Sequence, residues 1–158
     1  MIGRELGDEL GVTLYYRGRL AQGVSRNALF AEAESIAFEN GWSIRRLPSG
    51  GFVIQAHPDC EPLTFAPDAK GKVDDWVKTQ YAGPDVHIQI SDFLSRISTF
   101  FAKLKVDDDT EYWSTRNRED LERGFRQVSE MLEDIVRKNP CARTIVRLPD
   151  GRIVDVLE

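Results

Sequence analysis

Two short stretches of this chain hold most of the side chains suited to chemistry near neutral pH. Both histidines and one of the two cysteines fall in His57-Pro58-Asp59-Cys60-Glu61 and Gly83-Pro84-Asp85-Val86-His87. Imidazole titrates in that range, and a thiolate serves as nucleophile or metal ligand. One arrangement is a zinc site: His57 and Cys60, two residues apart, join His87 as ligands, and Glu61 acts as base on a bound water. The spacing matches no recognised zinc pattern, and a fourth structural ligand would have to come from Asp59 or Cys141. The other arrangement is Cys–His catalysis, with Cys60 as nucleophile and His87 as its base at a helix start. Cys60, Glu61 and His87 are therefore the catalytic candidates, and His57, Cys60 and His87 the metal candidates. Opposed to both is plain packing, in which Pro58 opens a turn and Cys60 fills space as a small hydrophobe.

Two further segments carry weaker signals. Lys78 to Pro84 leads through one glycine into a helix, but Pro84 removes a donor and Asp85 already places negative charge there, so a phosphate site is not expected. Asp107-Asp108-Asp109-Thr110-Glu111 has the carboxylates of a calcium loop. An EF-hand counted from Asp107 needs Gly and Glu where the chain has Tyr112 and Arg118, so that pattern fails. A solvated acidic turn beside Tyr112 and Trp113 is the expectation, and exposed aromatics there would suit a protein contact.

Bulk properties narrow the classes. A chain of 158 residues, 41% hydrophobic and 30% charged, fits one globular α+β domain, here 1–158. Net charge −5 argues against nucleic acid as a partner. No apolar run reaches the ~18 residues of a membrane span, and the first ten residues lack the apolar centre of a signal peptide. Two cysteines make no disulfide framework, which points to a reducing, cytoplasmic setting.

The elements that must position the candidates follow from periodicity. Residues 1–10 read as a mobile lead-in. Val12 to Leu20 alternates as a strand. Ser25 caps a helix carrying Leu29, Ala33, Ile36 and Ala37, which ends at Asn40-Gly41. Residues 42–47 and 51–57 form a hairpin about Pro48-Ser49-Gly50, and 63–66 with 73–81 form a second. A helix over 84–104 buries Ile90, Leu94, Ile97 and Phe101. Asn117 caps a third helix with Leu121, Phe125, Val128, Leu132 and Ile135 on one face. Residues 142–158 form a hairpin about Pro149-Asp150-Gly151, packed on a sheet edge or on a partner.

The fold expected is a five-stranded, mostly antiparallel sheet with helices on one face, in the order strand, helix, four strands, helix. A third helix and the C-terminal hairpin follow. This order resembles that of TBP-like and helix-grip domains, a likeness of element order that implies no activity. In such a meander the strands ending at His57 and Tyr81 finish on one edge about 10 Å apart, so the two candidate stretches should meet. Residues 43–53 also match 144–154 (Ile, Arg-Leu-Pro, Gly and Val shared), which reads as re-use of one good turn. The function expected is a protein-binding or regulatory module, with a protein partner or a homodimer and no cofactor. The alternative is a small zinc-dependent hydrolase or a Cys–His enzyme.

Overall fold

The computed structural model describes residues 11–157 and is an α+β protein. The lead-in expected over 1–10 lies outside the described residues. In chain order the elements are β1 (Thr13–Leu20), α1 (Arg26–Asn40), β2 (Ser43–Arg46), β3 (Phe52–Gln55), β4 (Leu63–Phe65) and β5 (Lys72–Lys78). Next come α2 (Pro84–Ile97), β6 (Phe101–Asp108), α3 (Tyr112–Thr115), α4 (Arg118–Lys138), β7 (Arg143–Arg147) and β8 (Ile153–Leu157). No helix among the described residues is long and apolar enough to cross a membrane.

The expected five-stranded sheet is replaced by three small antiparallel sheets ordered β5-β1-β6, β2-β3-β4 and β7-β8. One cause is a misread segment. The stripe through Ile97, Phe101 and Leu104 fits a helix, yet α2 ends at Ile97 and 101–108 pairs with β1. Leu104, Val106 and Asp108 also alternate with Lys103, Lys105 and Asp107, so both periods fit these residues. Pairing with β1 decided the outcome.

The other cause is Tyr16. Residues 63–66 and 73–81 were expected to pair, and backbone bonds join them only at their ends, Glu61 N to Lys78 O (3.2 Å) and Asp68 N to Lys72 O (2.9 Å). Between these, the Tyr16 hydroxyl donates to Thr64 O at 2.7 Å and accepts from Thr64 N at 3.2 Å. It thereby satisfies β4 where a neighbouring strand would. Its ring stacks on Phe65 at 4.8 Å, which in turn stacks on Phe52 at 5.4 Å. Burial, with the charge of Asp75 next, holds the Tyr16 phenol well above its usual range, so it stays a neutral donor.

The helices cover this aromatic core much as their patterns require. Ser25 Oγ accepts from Ala28 N at 3.0 Å, and Gly41 closes α1 in the left-handed region. Ile90, Leu94, Ile97 and Phe101 are all buried. Asn117 Oδ1 caps α4 by accepting from Glu119 N (2.9 Å) and Asp120 N (3.3 Å). Leu121 and Phe125 form a second cluster with Val12 and Tyr112.

The 43–53 and 144–154 likeness extends further than a shared turn. Leu47 N donates to Gly51 O and Leu148 N to Arg152 O, each at 2.7 Å, and the cross-strand pairs Arg46–Phe52 and Arg147–Ile153 coincide. A helix precedes each hairpin and a strand precedes the helices, giving β1-α1-β2-β3 and β6-α3-α4-β7-β8, the second with the extra short α3. The match was read as re-use of one turn, and the element order around it also repeats. The copies differ at one telling position: Ile54, fully buried in the first, corresponds to Asp155, fully buried in the second.

Candidate functional site

The two candidate stretches each touch the end of β5, one at Lys78 and the other at Thr79, rather than each other. Cys60 is fully buried, and its thiol donates to Lys78 O at 3.4 Å. Burial, with the Glu61 charge next, pushes that thiol up to about 12. Glu61 accepts two backbone bonds, Oε1 from Lys78 N and Oε2 from Ile153 N, both at 2.8 Å. Its carboxyl lies above the usual range because burial outweighs those two donors and the Arg152 and Lys78 charges. One carboxylate thus fastens β8 to β5.

His57 stays in the turn, where its Nδ1 accepts from Asp59 N at 3.0 Å and the side chain is partly exposed. His87 is fully buried in the first turn of α2. Its Nδ1 meets the Thr79 hydroxyl at 2.8 Å and its Nε2 the Asp108 carboxylate at 2.9 Å, so both ring nitrogens have partners other than Cys60. Among the described residues no three of His, Cys, Asp and Glu stand together as metal ligands.

Thr79, His87 and Asp108 form a hydroxyl–imidazole–carboxylate chain of the kind that activates a nucleophile. Here it lies in the core. The edges of Tyr112 and Phe125 face the imidazole at 6.1 and 5.7 Å, and none of the three residues lines any of the cavities described below. Without a path for substrate, the chain acts as an internal tie between the β5 end, α2 and the β6 end. Asp108 also accepts from Thr110 N (2.9 Å), Thr110 Oγ1 (2.8 Å) and Trp113 N (2.9 Å). Burial works against its charge, but His87 and the two Thr110 donors hold its carboxyl below the usual range. The acidic turn is therefore half structural: the Asp108 side chain is a buried hub, and Tyr112 is core.

The open feature lies beyond Glu61. A cavity of about 610 Å3 sits between α4, β7 and the 80–81 turn. Ser129, Leu132, Glu133, Val136 and Arg137 form its α4 wall, Thr144 and Ile145 its β7 wall, and Gln80, Tyr81 and Asp155 its floor. That volume suits a small ligand or a side chain of a partner. A second, shallower hollow of about 730 Å3 runs along α4 past Pro84, Phe125 and Ser129.

The floor is rigid. Lys78 Nζ donates to Ile153 O and to Asp155 Oδ2, both at 2.8 Å, with the two side chains 3% and 0% exposed. Tyr81 donates to Asp155 Oδ1 at 2.6 Å, and burial together with that carboxylate raises the phenol above its usual range. Gln80 Nε2 donates to Ser129 Oγ at 3.0 Å, tying the floor to α4. Ile145, on the β7 wall, has φ 55°, a left-handed conformation that costs a β-branched residue roughly 1–3 kcal/mol.

Lys78 and Tyr81 entered the sequence reading only within the 78–84 stretch weighed as a phosphate site and set aside, and Asp155 was not singled out. The available signal was Asp155, an acid at the core-facing position of an otherwise apolar strand pattern shared with residues 52–54. Comparison with family models, with curated proteins and with solved structures finds no match to this chain.

Proposed function

We propose that this chain is a protein-binding module, and that the groove between α4 and the β7–β8 hairpin receives an apolar side chain of its partner. The observation that carries the reading is the groove itself, open, lined by Leu132, Val136 and Ile145, and floored by a satisfied polar cluster. Val136 and Ile145 are 38% and 55% exposed, unusual for aliphatic side chains that share one hollow. An aliphatic or aromatic anchor would gain burial against them, while Glu133 and Arg137 at the rim favour a polar flank. The strained Ile145 backbone fits a wall held in shape for a ligand.

The zinc-hydrolase and Cys–His alternative has less support. It needs a reactive thiolate and a reachable imidazole, whereas Cys60 and His87 are fully buried and bonded elsewhere.

A random peptide library selected on the wild-type chain and counter-selected on Ser129→Trp tests the proposal, since the indole would fill the groove. Peptides sharing an apolar anchor, binding the wild type and failing on the variant, are expected. Peptides that bind both proteins equally would overturn it.

A further inference from the structure

Strand β6 ends its sheet, with β1 on one side and no strand among the described residues on the other. Such an edge offers backbone donors and acceptors to another strand. Its solvent-facing residues are Lys103, Lys105, Asp107 and Asp109, all exposed and two positions apart. About Val106 this order is charge self-complementary: Lys105 and Asp107 stand one position to either side, Lys103 and Asp109 three positions.

The same face holds an unfavourable row. Arg19 pairs across the sheet with Lys72 on β5 and with Lys103 on β6, so three cations stand side by side. None of the three makes an ion pair within the described residues. Like charges directly opposite destabilise a sheet; the Asp68 carboxylate lies near enough to Arg19 and Lys72 to offset part of their charge, and Lys103 has no ion pair among the described residues. The next row, Asp74–Arg17–Lys105, is also net positive, and the one beyond it, Trp76–Tyr15–Asp107, is net negative. Charge therefore runs from positive to negative along the strand direction of this face.

We infer that the β6 edge pairs with the β6 edge of a second copy, antiparallel and centred on Val106. That register joins two three-stranded sheets into one of six strands. It sets Lys105 of each copy, which pairs with Asp107 of its own copy at 3.6 Å, opposite Asp107 of the other, and brings Lys103 opposite the other copy's Asp109, whose Oδ2 also accepts from Thr13 N at 3.0 Å. A shift of two residues in either direction keeps two opposite-charge pairs in place of four and sets Asp107 against Asp107 or Lys105 against Lys105, so the charges favour this register. A second copy is the occupant because the edge complements itself. An acidic peptide would satisfy the lysines and meet Asp107.

Sedimentation equilibrium on the full chain, from micromolar to near-millimolar concentration, tests this. The expected result is a reversible dimer that weakens as salt rises. Lys105→Asp should weaken association roughly tenfold or more, since symmetry replaces two opposite-charge pairs with two like-charge pairs. Lys105→Asp combined with Asp107→Lys restores opposite charges and should restore the dimer. Both positions are exposed, so the fold should survive, with circular dichroism as the check. Hydrogen exchange on the unmodified chain gives an independent reading, with 103–107 amides expected to slow as concentration rises. A monomer at every concentration, a dimer indifferent to Lys105→Asp, or a double variant no better than the single one would each overturn the inference.

Discussion

Replacing Lys78 with methionine keeps most of the side-chain volume and deletes the ammonium that holds the floor of the groove. Two bonds of 2.8 Å disappear, to Ile153 O and to Asp155 Oδ2. Asp155, fully buried, then keeps Tyr81 as its hydroxyl donor and loses its counter-charge. Breaking a buried pair from one side costs about 3–5 kcal/mol, most of it the penalty of an uncompensated charge. Removing both charges, as in Lys78→Met with Asp155→Leu, should recover about 1–4 kcal/mol of that loss. Urea unfolding followed by circular dichroism measures the wild type, Lys78→Met, Asp155→Leu and the double variant. Hydrogen exchange of the 143–157 amides shows whether the loss is confined to the hairpin. A single-variant cost below about 1 kcal/mol, or a double variant that loses the full sum of its parts, would refute the reasoning.

Four other outcomes are expected. Cys60 should resist iodoacetamide in the native state at pH 8 while exposed Cys141 reacts, because a thiol near 12 carries on the order of a thousandfold less thiolate than one at ~8.5. His87→Ala should leave that contrast intact, as intact mass after labelling would report. Glu61 has a folded pKa raised above 4.5, so its stabilising contribution is greatest at low pH and declines as pH rises through the raised value. Glu61→Gln should remove that slope from unfolding free energies measured across the acid range. Asp108 has the opposite sign: its contribution is present above 3.8 and lost as pH falls through the lowered value, so Asp108→Asn should flatten the acid limb. Leu94→Ala should lower unfolding free energy in urea by about 2–5 kcal/mol, as a fully buried large-to-small change.

Local chemistry made much of this fold legible. Ser25, Gly41, Asn117 and the two Leu-Pro-x-Gly turns act within a few residues of themselves, so these caps and these two hairpins follow from local chemistry, whereas the hairpin expected of 63–66 with 73–81 does not form. What failed was non-local. Residues 101–108 satisfy both helical and strand periods, and only pairing with β1, more than eighty residues away in sequence, resolves them. Tyr16 occupies the β4 edge through a hydroxyl that no pattern of hydrophobicity records. The candidate site was half legible for the same reason. The turn at 57–61 and the start of α2 each touch the β5 end, through Lys78 and Thr79, although the meander from which their meeting was expected does not form. Which atoms they touch depended on Lys78, Thr79 and Asp108, whose buried state composition does not reveal.

The central claim is that partner binding takes place in the α4–hairpin groove and that Cys60, Glu61 and His87 support its shape. The most direct measurement is a 15N–1H correlation titration of the wild-type chain with a library-selected peptide. The account predicts shifts confined to Gln80, Tyr81, Ser129, Leu132, Val136, Thr144 and Ile145, and none in Ser129→Trp. Shifts centred on the 57–61 turn or on the exposed face of β1 and β6, with the groove residues unmoved, would contradict it.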